Sequence, residues 1–324
     1  MTGTPRSLAE IVPADLYAFA RRSAITLRTA VTGGTLGRHR SRQTGHGVDF
    51  FDHRAYAPGD DPRFLDWRAI GRRDRLVVRR TEAERSVTLV LLVDASGGMA
   101  YGEGVTKFDA VRALACTLAI LAVRGGDRFV AFAGRDDAIH PLIPRPRGGM
   151  AAVADLAAAL EALVPAGTCP WLDLLDRGAP TLGRGEQIVV ALSDFLDPGA
   201  GADDPEEHER AVHRGFSRLA RRHHVAIVRC LHDDETRFDF PGDERIRFVD
   251  LRGVRPEREL DVARVRRTYL EALSAHLERV DATCRDGGIH LADARVPGSL
   301  LPCLRTLLAR LAGLVDRPAT GVDR

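Results

Sequence analysis

Two apolar stretches of the sequence each end in an aspartate that lies near a hydroxyl residue. The stretch "VTLVLLVDAS" leads into Asp94 and Ser96, and "IVVALSD" leads into Asp194. Between them in the chain, "VPAGTCPWLDLL" carries Thr168 shortly before a predicted helix. Mg²⁺, Mn²⁺ and Ca²⁺ prefer oxygen ligands. If the three segments meet in space, these four residues predict an all-oxygen metal site with room for water and one outside ligand.

The elements that must position these residues alternate along the chain from about residue 86. Apolar runs of strand length are followed by segments of helical length, which is the pattern of a parallel sheet flanked by helices. The predicted strands are residues 87–93, 128–133, 188–192, 225–230 and 289–292, with residues 138–143 as an edge strand. The predicted helices are residues 107–123, 150–163, 171–179, 206–222, 258–284 and 300–314. The expected fold class is therefore α/β, with a doubly wound, mostly parallel sheet.

The ends of the strands matter because ligands of an open sheet bind beyond its carboxyl edge, where strand order reverses. Asp94 and Asp194 both follow such an end, so we expect them at one edge. The alternative is structural, since Asp and Ser side chains also cap helices by accepting the N–H groups of the first turn. Capping is the simpler interpretation for each residue alone. Their recurrence at corresponding strand ends makes a shared site an equal alternative.

The composition is that of a globular protein. With 324 residues, 44% hydrophobic and 28% charged residues and a formal net charge of +2, the chain has no bias typical of disordered or membrane proteins. No basic stripe is interleaved with aromatic residues, so we expect no nucleic-acid partner. No apolar run approaches the ~20 residues of a membrane span, and the N-terminus lacks a signal core. Five scattered cysteines without metal-ligand spacing favour a reducing compartment, and we expect a cytoplasmic protein.

The composition changes near residue 85. Residues 13–31 show the spacing of an amphipathic helix, and the segment that follows is rich in polar and turn residues that indicate short strands. We therefore expect an accessory region of helix and short strands at residues 1–85 and an α/β domain at residues 86–324.

The order of the candidate ligands resembles that of a von Willebrand factor A domain and its metal-ion-dependent adhesion site. That family's first loop reads Asp-x-Ser-x-Ser, and residues 94–98 here read Asp-Ala-Ser-Gly-Gly. The resemblance implies Mg²⁺ or Mn²⁺ as the ion and metal-site roles for Asp94, Ser96, Thr168 and Asp194. The sequence departs from the family at one ligand, because Gly98 has no side-chain oxygen. This departure implies either weak binding, with a water in place of the hydroxyl, or a metal-free site.

The segment before the sheet resembles the signature of the domain of unknown function 58 family. In that family an Arg-x-Tyr-x-x-Gly-Asp-x-x-Arg-x-x-Asp-Trp run precedes an A-type domain. The matching positions are Arg54, Tyr56, Gly59, Asp60, Arg63, Asp66 and Trp67. These residue types favour a buried ion-pair network that fastens the region to the sheet domain, and a partner-binding face is the alternative. The resemblance also implies work with a MoxR-type AAA+ ATPase in chaperone-like assembly or metal insertion.

Enzyme signatures are weak in this sequence. It has no GxSxG elbow and no Walker lysine motif, and Ser96 stands where an aspartyl phosphatase would have its second aspartate. We therefore expect a non-enzymatic interaction module in which a partner carboxylate completes the coordination of the ion. The alternatives are a metal-free scaffold that uses the same face and, less favoured, a magnesium-dependent hydrolase.

Overall fold

The computed structural model describes residues 6–23, 50–55, 77–81, 87–178, 187–196, 202–240 and 245–312. Contacts between residues divide the chain into two units. The larger unit joins Met1–Leu36 to Val87–Arg324 and contains a six-stranded sheet. The smaller unit is Gly37–Ser86 and contains a two-stranded sheet.

Strands and helices are numbered here in chain order. The strands are β1 Phe50–Ala55, β2 Val77–Thr81, β3 Thr88–Asp94, β4 Arg128–Arg135, β5 Ala138–Arg147, β6 Gln187–Ser193, β7 His224–His232, β8 Arg245–Phe248, β9 Arg258–Asp261 and β10 His290–Val296. The helices are α1 Leu8–Ile11, α2 Ala14–Arg22, α3 Lys107–Arg124, α4 Met150–Ala162, α5 Trp171–Asp173, α6 Pro205–Ala220, α7 Asp233–Arg237, α8 Val262–Gly287 and α9 Leu301–Leu311. A 3₁₀ turn, Gly97–Ala100, follows β3, and a π-helical turn, Leu174–Gly178, follows α5.

The six-stranded sheet has the strand order β10-β7-β6-β3-β4-β5. All neighbouring pairs are parallel except β4 and β5, which are antiparallel. The sheet therefore confirms the expected α/β class and places the predicted edge strand at an edge. Since β3 lies in the middle and its neighbours are reached by connections in both directions, the strand order reverses at its carboxyl end.

The side chains of β3 show why its sequence is a continuous apolar run. Leu89 and Leu91 belong to a buried cluster that includes residues of α3, α4 and α9. Val90 belongs to a second cluster, with Trp171 of α5 and Phe216 of α6. Helices thus cover both faces of the sheet, and a strand buried on both faces needs apolar residues at every position rather than at alternate ones.

Helix α3 leads away from the carboxyl end of β3 into the interior. It begins after the N-cap Thr106, whose side chain accepts the N–H of Asp109 while the Asp109 carboxylate accepts the N–H of Thr106. Most of its residues are buried, as expected for a helix that is apolar around its whole circumference. Its first residue, Lys107, is therefore held at the carboxyl edge of the sheet and beneath the surface.

The N-terminal helices are grouped with the larger unit, whereas the sequence predicts one accessory region at residues 1–85. Ile11, Leu16 and Ala20 are buried in the same cluster as α3 and α4. The helical spacing expected in this segment is present in α2. An amphipathic pattern shows that one face of a helix must be covered, but it does not show by which surface.

The smaller unit contains the antiparallel pair of β1 and β2, with Arg54 opposite Val78. The rest of the predicted signature run, from Tyr56 to Trp67, lies outside the described residues. Its two interpretations, an ion-pair network and a partner-binding face, stay predictions.

A short ribbon of β8 and β9 appears where the sequence pattern predicted none. Residues 258–261, expected to open a helix, form β9 and pair antiparallel with β8. Helix α8 begins only at Val262, with Asp261 accepting the N–H of Arg264 as its N-cap. Strands of four residues carry too little periodicity to be recognised in sequence. The ribbon supports the connecting loop, residues 249–257, which reaches the carboxyl edge of the sheet.

Two global expectations can be compared with the described residues. None of the five cysteines forms a disulfide. Within the described ranges, no helix is both long enough and apolar enough to cross a membrane.

Candidate functional site

Asp94 ends β3, and its carboxyl group is buried. Its Oδ1 accepts the N–H of Ser96 at 2.8 Å, and its Oδ2 accepts the hydroxyl of Ser193 at 2.5 Å. Ser193 is the last residue of the neighbouring strand β6, and its hydroxyl accepts the N–H of Phe195 at 3.0 Å. Both oxygens of Asp94 are thus engaged by groups of the protein.

Asp194 follows β6 directly, and two cations hold its carboxylate. Nζ of Lys107 lies 2.7 Å from Oδ2, and Nη2 of Arg252 lies 3.3 Å from both carboxylate oxygens. Lys107 also donates to Oε1 of Glu235, at 2.5 Å. The side chains of Lys107 and Asp194 are each 1% exposed. The centre of this edge is therefore a buried ion-pair network.

Ser96 and Thr168 reach the same edge on paired loops. Two backbone hydrogen bonds of 3.0 Å join residues 95–97 to residues 166–167. The carbonyl of Thr168 accepts the N–H of Asp137 at 3.1 Å, and the residue is partly exposed. The structure thus brings together all four predicted site residues, Asp94, Ser96, Thr168 and Asp194.

The hydroxyl of Ser96 is buried and has no hydrogen-bond partner within the described part of the chain. Capping accounts for Asp94 and Asp194, since each accepts the backbone N–H two residues further on. It does not account for Ser96, whose side chain makes no cap bond to the following 3₁₀ turn. Leaving a buried hydroxyl unpaired costs about 1–3 kcal/mol. Ser96 is the feature of this edge that most favours an additional ligand.

The loop of residues 249–257 packs on the two glycines of the first loop. A Cβ at Gly98 would lie 2.6 Å from the guanidinium carbon of Arg252. A Cβ at Gly97 would overlap the carbonyl oxygen of Leu251. The close approach of this loop therefore leaves no room for a side chain at Gly97, whereas a side chain at Gly98 would have to displace the guanidinium of Arg252.

The two aspartates have opposite electrostatic environments. Burial and the nearby charge of Asp194 raise the pKa of Asp94 above its ordinary value. Burial acts in the same direction on Asp194, but the charges of Lys107 and Arg252 outweigh it and hold the pKa of Asp194 well below its ordinary value. Burial raises the pKa of Glu235, which shares Lys107. Burial would lower the pKa of Lys107, but the charges of Asp194 and Glu235 raise it.

Several features of this set of donors disfavour a divalent ion. Gly98 supplies no oxygen, and the cations paired with Asp194 would repel a metal at the same carboxylate. The raised pKa of Asp94 favours its neutral form, whereas a metal ligand must be deprotonated. In the described residues, no group of three or more His, Cys, Asp and Glu side chains is arranged to hold a metal. The metal-binding role of the four predicted residues stays a prediction, and the Ser96 hydroxyl is what favours it.

Sequence reasoning missed the groups that surround the two aspartates: Lys107, Ser193, Glu235 and Arg252. One of them carried a signal. Lys107 is the only lysine among 47 lysines and arginines, and it opens an apolar helix. In a chain that otherwise uses arginine, a single lysine before a buried helix indicates a specific need for a compact cation. Ser193 lies in the stretch already singled out for Asp194, whereas Glu235 and Arg252 lie in segments whose sequence does not indicate a site.

This chain matches one family model and is similar in sequence to proteins from mycobacteria. A family model described as protein of unknown function DUF58 matches residues 52–279. The uncharacterised proteins Rv1480 of Mycobacterium tuberculosis and Mb1516 of Mycobacterium bovis are each 26% identical to this chain over 297 residues. These matches cover 86% of this chain and 84% of each relative.

Solved structures with a similar sheet have low sequence identity. BatB from Bacteroides thetaiotaomicron is 12% identical with a TM-score of 0.39, over 71% of this chain and 100% of that chain. An aerotolerance-related membrane protein from Bacteroides fragilis is 14% identical with a TM-score of 0.39, over 70% and 98%. The VWA domain of SpRpn10 is 13% identical with a TM-score of 0.37, over 74% and 99%. The fold assignment rests on the strand order and strand directions of the six-stranded sheet.

Proposed function

Because the chain belongs to the DUF58 family and its larger unit has a von Willebrand factor A-like fold, we propose that it is a non-enzymatic protein-interaction module. The partner docks on the carboxyl edge of the sheet, and the site works without a divalent ion. This is the metal-free form of the interaction face expected from the sequence.

The distribution of exposed apolar side chains carries this proposal. Of the six large apolar side chains exposed in the described residues, five lie on loops at the carboxyl edge: Val105, Val164, Val249, Leu251 and Val254. The sixth, Met150, follows the antiparallel strand β5 and therefore lies toward the opposite edge. Exposed apolar groups concentrated around a polar centre are typical of interaction sites. We call these five residues and their loops the docking face.

The groups beneath the docking face support docking rather than catalysis. Asp94 is hydrogen-bonded on both oxygens, and Asp194 is paired with Lys107 and Arg252. A general base must reach the proton that it removes. Carboxyl groups that are buried and already engaged serve instead to hold the loops of the face in place.

A metal-dependent form of the same module is the second candidate, and the unpaired hydroxyl of Ser96 favours it. In that form a partner carboxylate would complete an ion held at this edge. Family resemblance makes a MoxR-type AAA+ ATPase the partner to test first in either case.

The test measures binding of the full chain to the MoxR-type ATPase of its host by biolayer interferometry, with and without EDTA. Val164→Ser and Leu251→Ser place a polar group on the docking face. Met150→Ser, at an apolar residue that is as exposed as Leu251 but lies toward the other edge, is the matched control. We expect each docking-face variant to weaken binding about tenfold, which is the scale of one interface anchor.

The expected pattern is weaker binding for the two docking-face variants, wild-type binding for Met150→Ser, and no effect of EDTA. Wild-type binding by both docking-face variants would place the interface elsewhere. Loss of binding in EDTA would favour the metal-dependent form. No binding by the wild-type chain would remove this ATPase as the partner.

A further inference from the structure

Arg252 lies between the first loop and Asp194. Its guanidinium carbon is 2.6 Å from the position that a Cβ at Gly98 would take. Its Nη2 is 3.3 Å from each carboxylate oxygen of Asp194, and its side chain is 15% exposed. The guanidinium therefore fills the space that a hydroxyl side chain at position 98, and an ion shared with Asp194, would need.

We propose that Arg252 is a built-in cation that takes the place of the divalent ion, so that this edge is electrostatically complete without a metal. A guanidinium is permanently charged, is less strongly hydrated than an ammonium and presents planar N–H donors that suit a carboxylate. Covalent attachment also keeps it at the site at any metal concentration. The docking result is not needed for this inference, since it rests on contacts within the chain.

Backbone contacts of its loop set the position of Arg252. Asp250 accepts the backbone N–H groups of Arg252 at 3.0 Å, Val254 at 3.1 Å and Arg255 at 2.9 Å. The neighbouring carbonyl of Leu251 packs so closely on Gly97 that any side chain there would overlap it. The loop is thus held by its own hydrogen bonds and packs on Gly97 and Gly98, which places Arg252 beside Asp194.

In the described residues, the ion pairs around Asp194 contain as many cations as carboxylates. Lys107 and Arg252 are the two cations, and they contact the carboxylates of Asp194 and Glu235. A divalent ion at Asp194 would add two positive charges beside two that are already present. Because like charges repel strongly in a buried, low-dielectric site, an ion could enter only if Arg252 left.

The test asks whether removal of Arg252 opens a metal site. Full-length wild type, Gly98→Ser, Arg252→Ala and the double variant Gly98→Ser with Arg252→Ala are titrated with Mn²⁺ by calorimetry and electron paramagnetic resonance. A second double variant, Gly98→Ser with Arg255→Ala, removes the same charge from the same loop and is the matched control. Circular dichroism checks the fold of each protein.

We expect no saturable Mn²⁺ binding by wild type, by Gly98→Ser or by the control. The variant with Gly98→Ser and Arg252→Ala is expected to bind one Mn²⁺ with a dissociation constant on the order of 1 mM or tighter, in the range of weak oxygen-ligand sites. Saturable binding by wild type would overturn the proposal. So would a folded double variant that does not bind Mn²⁺.

The single variant covers the case in which the double variant does not fold. Arg252→Ala leaves the first loop unchanged and should show saturable Mn²⁺ binding, which wild type should not show. Equal Mn²⁺ titrations of the two proteins would overturn the proposal. No partner protein enters these measurements, so their outcome is independent of the docking test.

Discussion

Neighbouring side chains, and not residue type, set the charge of the two buried aspartates at the carboxyl edge. Asp94 and Asp194 follow adjacent strands and are buried to a similar extent. Asp94 accepts hydrogen bonds from a backbone N–H and a hydroxyl, whereas Asp194 faces two cations. Burial disfavours the charged form of a carboxyl group unless opposite charges offset it. Asp194 is therefore the residue expected to be ionised.

Replacing the aspartate by asparagine should cost far more stability at position 194 than at position 94. Asp194→Asn is expected to destabilise the larger unit by about 3–5 kcal/mol at neutral pH, because it leaves the buried Lys107 without this partner. The matched control is Asp94→Asn, expected to cost less than about 1 kcal/mol because an amide can accept from Ser96 and donate to Ser193. Urea unfolding followed by circular dichroism measures both values. Equal costs would contradict the assignment of charge.

Asp94 and Asp194 should also contribute with opposite signs to the pH dependence of stability. A carboxyl group whose folded pKa is lowered stabilises the fold above its unfolded pKa, about 3.9, and this stabilisation is lost as the pH falls below that value. The raised pKa of Asp94 has the opposite sign, since its cost grows as the pH rises above about 4. Wild type should therefore lose stability below about pH 4 more steeply than Asp194→Asn does. Urea unfolding at a series of pH values gives the slopes.

At the scale of elements, the loop of residues 249–257 and the first loop are matched in shape. Gly97 meets backbone of the incoming loop, and Gly98 meets the end of a flexible side chain. Neither glycine has a left-handed backbone conformation, so steric overlap alone distinguishes their replacement by alanine. This contrast allows the seating of the loop to be tested apart from the chemistry of Arg252.

Gly97→Ala is expected to destabilise the protein by about 1–3 kcal/mol, because backbone must shift to admit the methyl group. Gly98→Ala, its matched control, should cost less than about 1 kcal/mol, since the guanidinium end of Arg252 can move aside. Urea unfolding gives the two free energies, and hydrogen exchange of residues 249–257 reports whether the loop loosens. A cost at Gly98 equal to that at Gly97 would show that Arg252 is held as rigidly as the backbone.

At the scale of the whole molecule, the N-terminal helices complete the core of the larger unit. Leu16 of α2 is fully buried in the cluster that covers one face of the sheet. Leu16→Ala should therefore destabilise the sheet itself by about 2–5 kcal/mol, the usual cost of a buried leucine. Urea unfolding monitored by circular dichroism measures this cost, with the exposed Arg22→Ala as control. An unchanged main transition in Leu16→Ala would mean that α2 unfolds separately from the sheet.

The apolar pattern of the sequence predicted most elements of the larger unit. Strands such as β3 and helices such as α3 are covered on several sides, and that burial leaves long apolar runs with a clear period. The ribbon of β8 and β9 was missed because short, largely exposed strands contain no long apolar run with a clear period. The grouping of α2 with the sheet was missed because periodicity reports an apolar face and not the surface that covers it.

The sequence by itself predicted that Asp94 and Asp194 lie at one edge, because each comes at the carboxyl end of a strand and parallel strands bring those ends together. Ser96 is tied to Asp94 by sequence, but Thr168 follows a helix, so its place at this edge depended on how its loop packs. Only the tertiary structure decided what these residues meet there. Lys107 and Arg252 lie 87 and 58 residues from Asp194 in the chain. Local patterns encode where elements begin and end, whereas the partner of a buried charge depends on which distant segments the packing brings within hydrogen-bond distance.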